Sequence, residues 1–440
     1  MSKKKTLIYI ITIIILIIIL GVLWYLIIIN NNNSNNNNQM NNPNTTYSAS
    51  KEITSNEDIT SGEYSSTNSD ENAILVSKAK STLSSITVTK TGDSDGGDNT
   101  SFYGTNSAIL AKSGANLTIK NATITTNATG ANGVFSYGGS ATTSNSSSDG
   151  TTVNISNSKI TTTKDNSGGI MTTGGGVMNA TNLTINTAGT SSAAIRSDRG
   201  GGTVTVNKGT YKTTGKGSPT IYSTADITVK NAKLISTASE GVVIEGKNSI
   251  NLENVELIDT NNTLNGQSTT YKNIFIYQSM SGDADTGTAS FSSKNSTITT
   301  NKGDTIYVTN TKASITLENN TFINNDSEGN FLRIQKDSWG NSGSNGGDVT
   351  LKLINQNIEG NIVVDEISTL TMNLSKSSHY EGTINNSNEA KSIKLVLDKT
   401  SKIKLTGDSY ISELEDEDST YSNIDLNGYK LYVGGKLLTK

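Results

Sequence analysis

The chain has 440 residues, of which 32% are hydrophobic and only 5% aromatic, and it contains no cysteine. The formal net charge of −4 does not indicate nucleic-acid binding. The lack of cysteine excludes disulfides, thiolate metal sites, cysteine catalysis and a lipid-anchored cysteine. So small an apolar fraction is poor for a single globular core, but it is typical of a solenoid with a thin core of Val, Ile and Leu.

Residues 1–29 predict a membrane anchor. Three lysines, Lys3 to Lys5, precede the uncharged apolar run Leu7–Ile29. As a helix this run would extend roughly 34 Å, which is enough to cross the hydrocarbon core of a bilayer. No small-x-small cleavage site follows, which favours an uncleaved signal-anchor over a cleaved signal peptide. The basic residues should stay in the cytoplasm, so we expect a single-pass membrane protein with the rest of the chain outside the cell.

Residues 30–72 are rich in Asn, Ser, Thr and Glu, beginning with the sequence NNNNSNNNNQMNNPNTTYSAS at Asn30. Such a composition cannot bury enough apolar surface to fold by itself. The sequence therefore predicts a disordered linker between the membrane anchor and the folded part.

Residues 73–368 contain a repeat of the form apolar-x-apolar-x-Asn-x-x-apolar. Nine copies are present, and in the fourth copy Lys208 replaces the Asn. The shorter Asn-to-Asn steps are 23 to 26 residues, and the longer steps are that period plus an insertion. The Asn residues at this position are Asn121, Asn157, Asn182, Asn231, Asn254, Asn295, Asn319 and Asn355.

A second short apolar segment follows thirteen residues after the Asn, so each unit is predicted to hold two short strands. A unit this small cannot bury its own apolar face, so neighbouring units must stack. The pattern predicts an all-β fold, a parallel β-helix with coils of 23 to 26 residues. The Asn would point inward at a bend, tolerate the left-handed backbone there and bond its amide to the next coil, forming a ladder. Residues 369–440 lose the Asn template and predict irregular C-terminal coils and a cap closed by a hairpin.

The repeats NLTIKNATITT, DITVKNAKLIST and SITLENNTFINN resemble those of the pectin-lyase-like, right-handed parallel β-helix proteins of bacterial and archaeal surfaces, often described as adhesin-like. The stretches TGDSYISEL and NIDLNGYKLYVGGK resemble the C-terminal coils of such proteins. The resemblance covers roughly residues 80–440 and implies a right-handed solenoid. It implies polysaccharide lyases or hydrolases in some members, and adhesion or binding without chemistry in others.

No column of carboxylates recurs from coil to coil, and the single histidine, His379, lies beyond the regular repeats. The Asp-rich stretches Asp93–Asn99 and Gly282–Gly287 do not match known calcium-loop spacings and are interpreted as polar turns. We therefore expect no catalytic residues, no metal site and no cofactor. The oligomeric state is left open by the sequence.

In the second apolar segment of each unit, the apolar residue should face inward. The next residue along the strand should then face outward on a rigid sheet. Exposed aromatic and Arg side chains there are suited to stacking on sugar rings, although aromatic residues are also favoured in strands for packing alone. Insertions between the strands add further side chains, among them a tryptophan in the sequence SWGNSGSNGGD. The candidate carbohydrate-binding residues are Phe135, Arg196, Tyr222, Tyr307, Arg333 and Trp339.

These features predict a cell-surface protein that binds cell-wall or host polysaccharide, or adheres, without catalysis. Two alternatives remain. One is a polysaccharide lyase or glycoside hydrolase of the pectin-lyase-like fold, and the other is a structural surface spacer without a ligand.

Overall fold

The computed structural model describes residues 45–139 and 148–439, which are nearly all β, with 51% of these residues in strands and 2% in helix. The predicted membrane segment Leu7–Ile29 and the Asn-rich start of the predicted linker lie outside the described residues. Among the described residues, no helix is long and apolar enough to cross a bilayer.

The strands form three columns, and neighbouring strands of a column pair in parallel. The exception is one step in the third column, from Thr321–Asn324 to Asn357–Glu359, where the two strands belong to separate sheets. Sheet 1 contains β1 (Ala49–Ile53), β4 (Asn72–Ser77), β7 (Ile109–Lys112), β10 (Val134–Tyr137), β13 (Ile170–Thr173), β15 (Ile195–Ser197), β17 (Ile221–Ser223), β20 (Val242–Glu245), β23 (Lys272–Tyr277), β26 (Asp304–Thr309), β29 (Leu332–Ile334) and β32 (Ile362–Val364).

The second column contains β2 (Asp58–Ile59), β5 (Lys80–Ser84), β8 (Asn116–Lys120), β11 (Thr152–Ser156), β14 (Gly176–Thr187), β16 (Gly202–Thr213), β18 (Asp226–Lys230), β21 (Ser249–Glu253), β24 (Thr288–Lys294), β27 (Thr311–Glu318), β30 (Gly347–Ile354), β33 (Thr369–Ser375), β35 (Ser392–Leu397) and β38 (Glu413–Asp416). The third column contains β3 (Gly62–Ser66), β6 (Ile86–Lys90), β9 (Thr123–Thr126), β12 (Lys159–Thr162), β19 (Lys233–Ser236), β22 (Glu256–Asp259), β25 (Thr297–Thr300), β28 (Thr321–Asn324), β31 (Asn357–Glu359), β34 (His379–Gly382), β36 (Lys402–Leu405) and β39 (Ile424–Asp425). The long strands β14 and β16 run without interruption through both of these columns.

The chain passes once through each column and then starts the next coil, an arrangement consistent with a parallel β-helix. Each coil thus has three strands rather than the two predicted. The backbone bends at the Asn, as predicted, but the residues before and after this bend form two separate strands in different columns. Apolar residues of all three columns point inward and form one continuous core; in one coil these are Leu117, Ile119, Ile124 and Val134, none of them exposed.

The Asn position of the repeat is the bend between the second and third columns. All eight of these Asn residues, and Lys208, have φ between 47° and 66°, the left-handed region that Asn adopts more readily than most residues. The amides do not point inward as predicted, because these side chains are exposed. They still bond along the column: Asn182 Nδ2 donates to Asn157 Oδ1 (2.8 Å), and Asn319 Nδ2 to Asn295 Oδ1 (2.8 Å). In the Lys208 coil the neighbouring Asn207 accepts the bond instead, from Asn231 Nδ2 (2.8 Å).

The predicted boundary between linker and solenoid at residue 72 is wrong. The three strands β1 to β3 already form a coil within residues 49–66, and β1 pairs with β4 in register from Ala49↔Asn72. This first coil contributes few inward apolar residues, chiefly Ile53 and Ile59. With so few apolar residues, its composition is close to that of a linker, and backbone pairing joins it to the next coil.

The C-terminal residues 369–439 are more regular than predicted. Parallel pairing continues through β33, β35 and β38. Beyond the end of sheet 1, β37 (Ser409–Ile411) pairs in parallel with β40 (Leu431–Val433) in a separate small sheet. The closing hairpin consists of β40 and β41 (Lys436–Leu437), and does not pair the residues near Ile424 with β40. It is the one antiparallel pair among the described strands. Such a hairpin ends the open strand edge of the solenoid.

One short helix interrupts the pattern. Helix α1 (Asp98–Tyr103) lies in the insertion between β6 and β7 and buries Thr100, Phe102 and Tyr103. It ends at Gly104, which has φ 71°. A side chain at Gly104 would also collide with the ring of Phe135, since a Cβ there would lie 2.8 Å from that ring.

Candidate functional site

The outer face of sheet 1 carries one continuous column of outward-facing side chains. Strand pairing aligns Phe135 with Met171, Met171 with Arg196, and Arg196 with Tyr222. The column continues through Val243, Phe275, Tyr307 and Arg333. The five strand residues singled out in the sequence therefore share one column, and Trp339 lies on the loop after β29.

The first part of this column is covered. Phe135 is fully buried in a small second core with Phe102 and Tyr103 of α1 and with Leu110 and Met171. The expectation that Phe135 is exposed is wrong, because α1 packs over the outer face of sheet 1 there.

The middle part of the column is open and forms a groove, here called the aromatic groove. Two adjoining cavities of about 250 and 240 Å³ share Tyr222, Tyr277, Pro219, Gly217 and Asn265 in their walls. Half-buried Tyr222 lies in the floor, and the turn before β17 and the loop between β22 and β23 form one side. The cavity nearer the C-terminal coils is also lined by Phe275 and Trp339.

Stacked aromatic rings build the C-terminal wall of the groove. The rings of Phe275 and Tyr277 lie nearly parallel, with centroids 4.4 Å apart, and the indole of Trp339 lies 5.2 Å from each. The Trp339 loop is held to the loop between β22 and β23, where Thr269 Oγ1 donates to the Asp337 carboxylate (3.0 Å). Trp339 remains half-buried, so part of the indole is available to a ligand.

Tyr307 lies beside this wall but is fully buried, contrary to the expectation of an exposed residue. Its hydroxyl donates to Asp337 Oδ2 (2.6 Å), and burial, together with this carboxylate, raises the pKa of the Tyr307 phenol. The phenol therefore stays neutral and acts as a structural donor.

A lysine ammonium is enclosed beneath the aromatic wall. Lys272 is 0% exposed, and its Nζ lies 4.4 Å from the Phe275 ring centroid and 5.0 Å from that of Tyr307. Nζ donates to Ser268 Oγ (2.9 Å) and lies 3.9 Å from Glu240 Oε1. Burial lowers the pKa of Lys272, while the carboxylate of Glu240 opposes that shift.

A second buried charge is held by hydroxyl groups. Glu245 is 1% exposed and accepts hydrogen bonds from the hydroxyls of Tyr222, Tyr277 (3.1 Å) and Ser279. Burial, followed by the nearby Glu245 carboxylate, raises the pKa of both phenols well above the usual value. The two tyrosines of the groove are therefore neutral, and their rings are oriented by one carboxylate.

The N-terminal end of the groove is formed by two ion pairs. Arg196 donates to Asp198 Oδ2 (2.8 Å), and Arg199 donates to Asp283 Oδ1 (2.6 Å). Burial, partly offset by Arg196, raises the pKa of Asp198 to about 6. Arg199 also lies over the Phe102 ring at 4.1 Å, so it connects the groove to the covered region.

The structure thus brings Arg196, Tyr222 and Trp339 to one groove and leaves three candidates out of its walls. Phe135 and Tyr307 are buried, and Arg333 donates from Nε to Asp304 Oδ2 (2.5 Å). Four further residues at the groove were not predicted from the sequence: Tyr277, Glu240, Glu245 and Lys272. Tyr277 follows Phe275 by two positions on the same face of β23, which period-2 alternation could have indicated.

No protein-family model, curated protein or solved structure matches the chain.

Proposed function

We propose that this protein is a right-handed parallel β-helix of the pectin-lyase-like kind, anchored in the membrane by Leu7–Ile29 and displayed outside the cell, where it binds carbohydrate without catalysis. The observation that carries the proposal is the aromatic groove. Its rings supply flat apolar faces for sugar rings, and Arg196, Asp198, Glu240 and Asn265 supply polar groups at its walls.

The groove also suits a polymer better than a small isolated ligand. It crosses several coils of a rigid sheet, from Arg196 on β15 to Trp339 beyond β29. Its two cavities are open to solvent and adjoin one another. An extended chain of sugars could therefore occupy successive positions along the coils.

Binding is tested with the full chain in detergent against an array of cell-wall and host polysaccharides, followed by calorimetry on any glycan retained. The proposal predicts saturable binding that is weakened when an aromatic residue of the groove is replaced. Failure of every glycan to bind would favour the spacer without a ligand.

A second candidate function, glycoside hydrolysis, is supported by one observation. Asp198 is a buried carboxyl at the groove with a pKa of about 6, and carboxyls with raised pKa values in clefts are common as general acids. Release of reducing or unsaturated sugar ends from a bound polysaccharide would establish catalysis. If that release is lost in Asp198→Asn, Asp198 takes part in it.

The anchored topology has a separate test. Protease added to intact cells should release the β-structured part by cutting before residue 45 and leave residues 1–29 in the membrane. Native protein that begins after residue 29 would show cleavage of the segment and place the protein among secreted proteins.

A further inference from the structure

The charges around the aromatic groove do not balance. Each cation described there is paired with a carboxylate: Arg196 with Asp198, Arg199 with Asp283, Lys272 with Glu240, and Arg333 with Asp304. Two further carboxylates form no ion pair with any described residue, although Lys272 also attracts Asp337 from beyond ion-pair distance.

The first of these two is Glu245, whose oxygens are bonded to the hydroxyls of Tyr222, Tyr277 and Ser279. The second is Asp337, which accepts from the hydroxyl of Tyr307 (2.6 Å) and from Thr269 Oγ1 (3.0 Å). Hydroxyl donors stabilise a carboxylate but do not cancel its charge. The groove is therefore bordered by two carboxylates that form no ion pair, one under its tyrosine floor and one behind its tryptophan wall.

The aromatic rings act in the same direction. The π-faces of Phe, Tyr and Trp attract cations, and the chain already places an ammonium there, since Lys272 Nζ lies against Phe275 and Tyr307 from beneath. The parts of Tyr222, Tyr277 and Trp339 that line the cavity stay open to a ligand.

We propose that the carbohydrate bound in the aromatic groove is an amino sugar polymer with free, protonated amines, and not a polyuronate. This inference rests on the proposed carbohydrate-binding function and names its substrate class. A hexosamine ring can stack on Tyr222 or Trp339 while its ammonium lies in the field of Glu245 and Asp337. A uronate would place a third uncompensated carboxylate at the same site, which like-charge repulsion disfavours.

The test uses the full chain in detergent and three oligosaccharides of equal length: β-1,4-linked glucosamine, its fully N-acetylated form, and oligogalacturonate. At a pH at which the amines are protonated, we expect the glucosamine oligomer to bind at least about tenfold more tightly than the N-acetylated one, a difference of about 1.4 kcal/mol. Oligogalacturonate should bind most weakly. Added salt should weaken the binding of the glucosamine oligomer but not that of the neutral oligomer.

Variants assign the preference to the unpaired carboxylates. Glu245→Gln removes one charge and keeps a hydrogen-bonding group, so affinity for the glucosamine oligomer should fall severalfold more than affinity for the N-acetylated oligomer. If that variant does not fold, Asp337→Asn provides the same test. The matched control is Glu253→Gln, since Glu253 lies on β21 of another column and is paired with Lys230 (2.7 Å).

The outcomes separate the two proposals. Equal binding of the charged and neutral oligomers, or tighter binding of oligogalacturonate, overturns the amino-sugar inference and leaves carbohydrate binding standing. If none of the three oligomers binds while another glycan does, the inference also fails. If no glycan binds at all, both the inference and the proposed function fail.

Discussion

Two parts of the outer face of sheet 1 are built from the same kind of residue and differ in what lies on top of them. At Phe135 the column is covered by helix α1 and becomes a second core, whereas at Tyr222 it remains an open groove. The strand pairing is equally regular in both parts. The comparison shows that the coil sets which side chains face outward, and the insertions decide which of those side chains a ligand could reach.

The largest expected effect tests the covered part. Phe135→Ala should lower the free energy of unfolding by about 3–5 kcal/mol, because it leaves a cavity under α1. Chemical denaturation measures this, and glycan binding by the folded fraction should be unchanged. A loss of glycan binding without a loss of stability would mean that Phe135 contacts the ligand and does not belong to a covered core.

The groove part should respond to pH through Asp198. Its folded pKa of about 6 lies above the usual value of 3.8 for Asp, so the folded protein holds this proton more tightly than the unfolded chain. Its contribution to stability is therefore present below about pH 4 and is lost as the pH rises to about 6, on the order of 3 kcal/mol. Arg196 opposes the shift and Asp283 adds to it.

Denaturation curves between pH 4 and 7 measure this effect by comparing the chain with Asp198→Asn. The fall in unfolding free energy with rising pH should be shallower in the variant. Parallel pH profiles would show that Asp198 does not titrate as described. Asp259, whose pKa is also raised by burial, remains in both proteins and so cancels in the comparison.

A smaller effect separates ligand contact from packing in the groove. Trp339→Ala should weaken binding of a groove ligand by roughly 1–3 kcal/mol and lower stability less than Phe135→Ala, because Trp339 is only half-buried. Tyr429→Ala is the control, since Tyr429 is exposed and lies in the last coil. Calorimetry measures the affinity of both variants for the same glycan. Equal affinities would contradict the prediction that the ligand contacts Trp339 in the aromatic groove.

The smallest expected effect concerns the Asn residues at the bends between the second and third columns of strands. Asn231 has φ 54° and bonds to Asn207 and Asn254 through an exposed amide. Asn231→Leu should therefore cost about 1–2 kcal/mol, mainly through the left-handed backbone, and lower the melting temperature more than Asn262→Leu in the loop. Asn231→Gly tolerates this backbone and should cost less. If Gly were as harmful as Leu, the amide bonds and not the backbone would explain the column.

The parallel β architecture could be predicted from the sequence because its cause is local and repeated. Pairs such as Leu117 and Ile119 alternate with polar residues at the period of a strand, and the Asn that follows recurs at the coil length. The first coil, residues 49–66, could not be predicted in this way, because it has too few apolar residues to show the periodicity of a strand.

The sequence by itself determined the coil period, the left-handed bends at the Asn positions and the shared column of Phe135, Arg196, Tyr222, Tyr307 and Arg333. Period and alternation are properties of neighbouring residues, so they are readable along the chain. Only the tertiary structure decided that α1 covers Phe135 and that the Asp337 loop covers Tyr307. Only the tertiary structure brought Glu245 beneath Tyr222 and Trp339 beside Tyr277. Those contacts join residues on different coils and loops, and their formation depends on how insertions of irregular length pack, which no local pattern specifies.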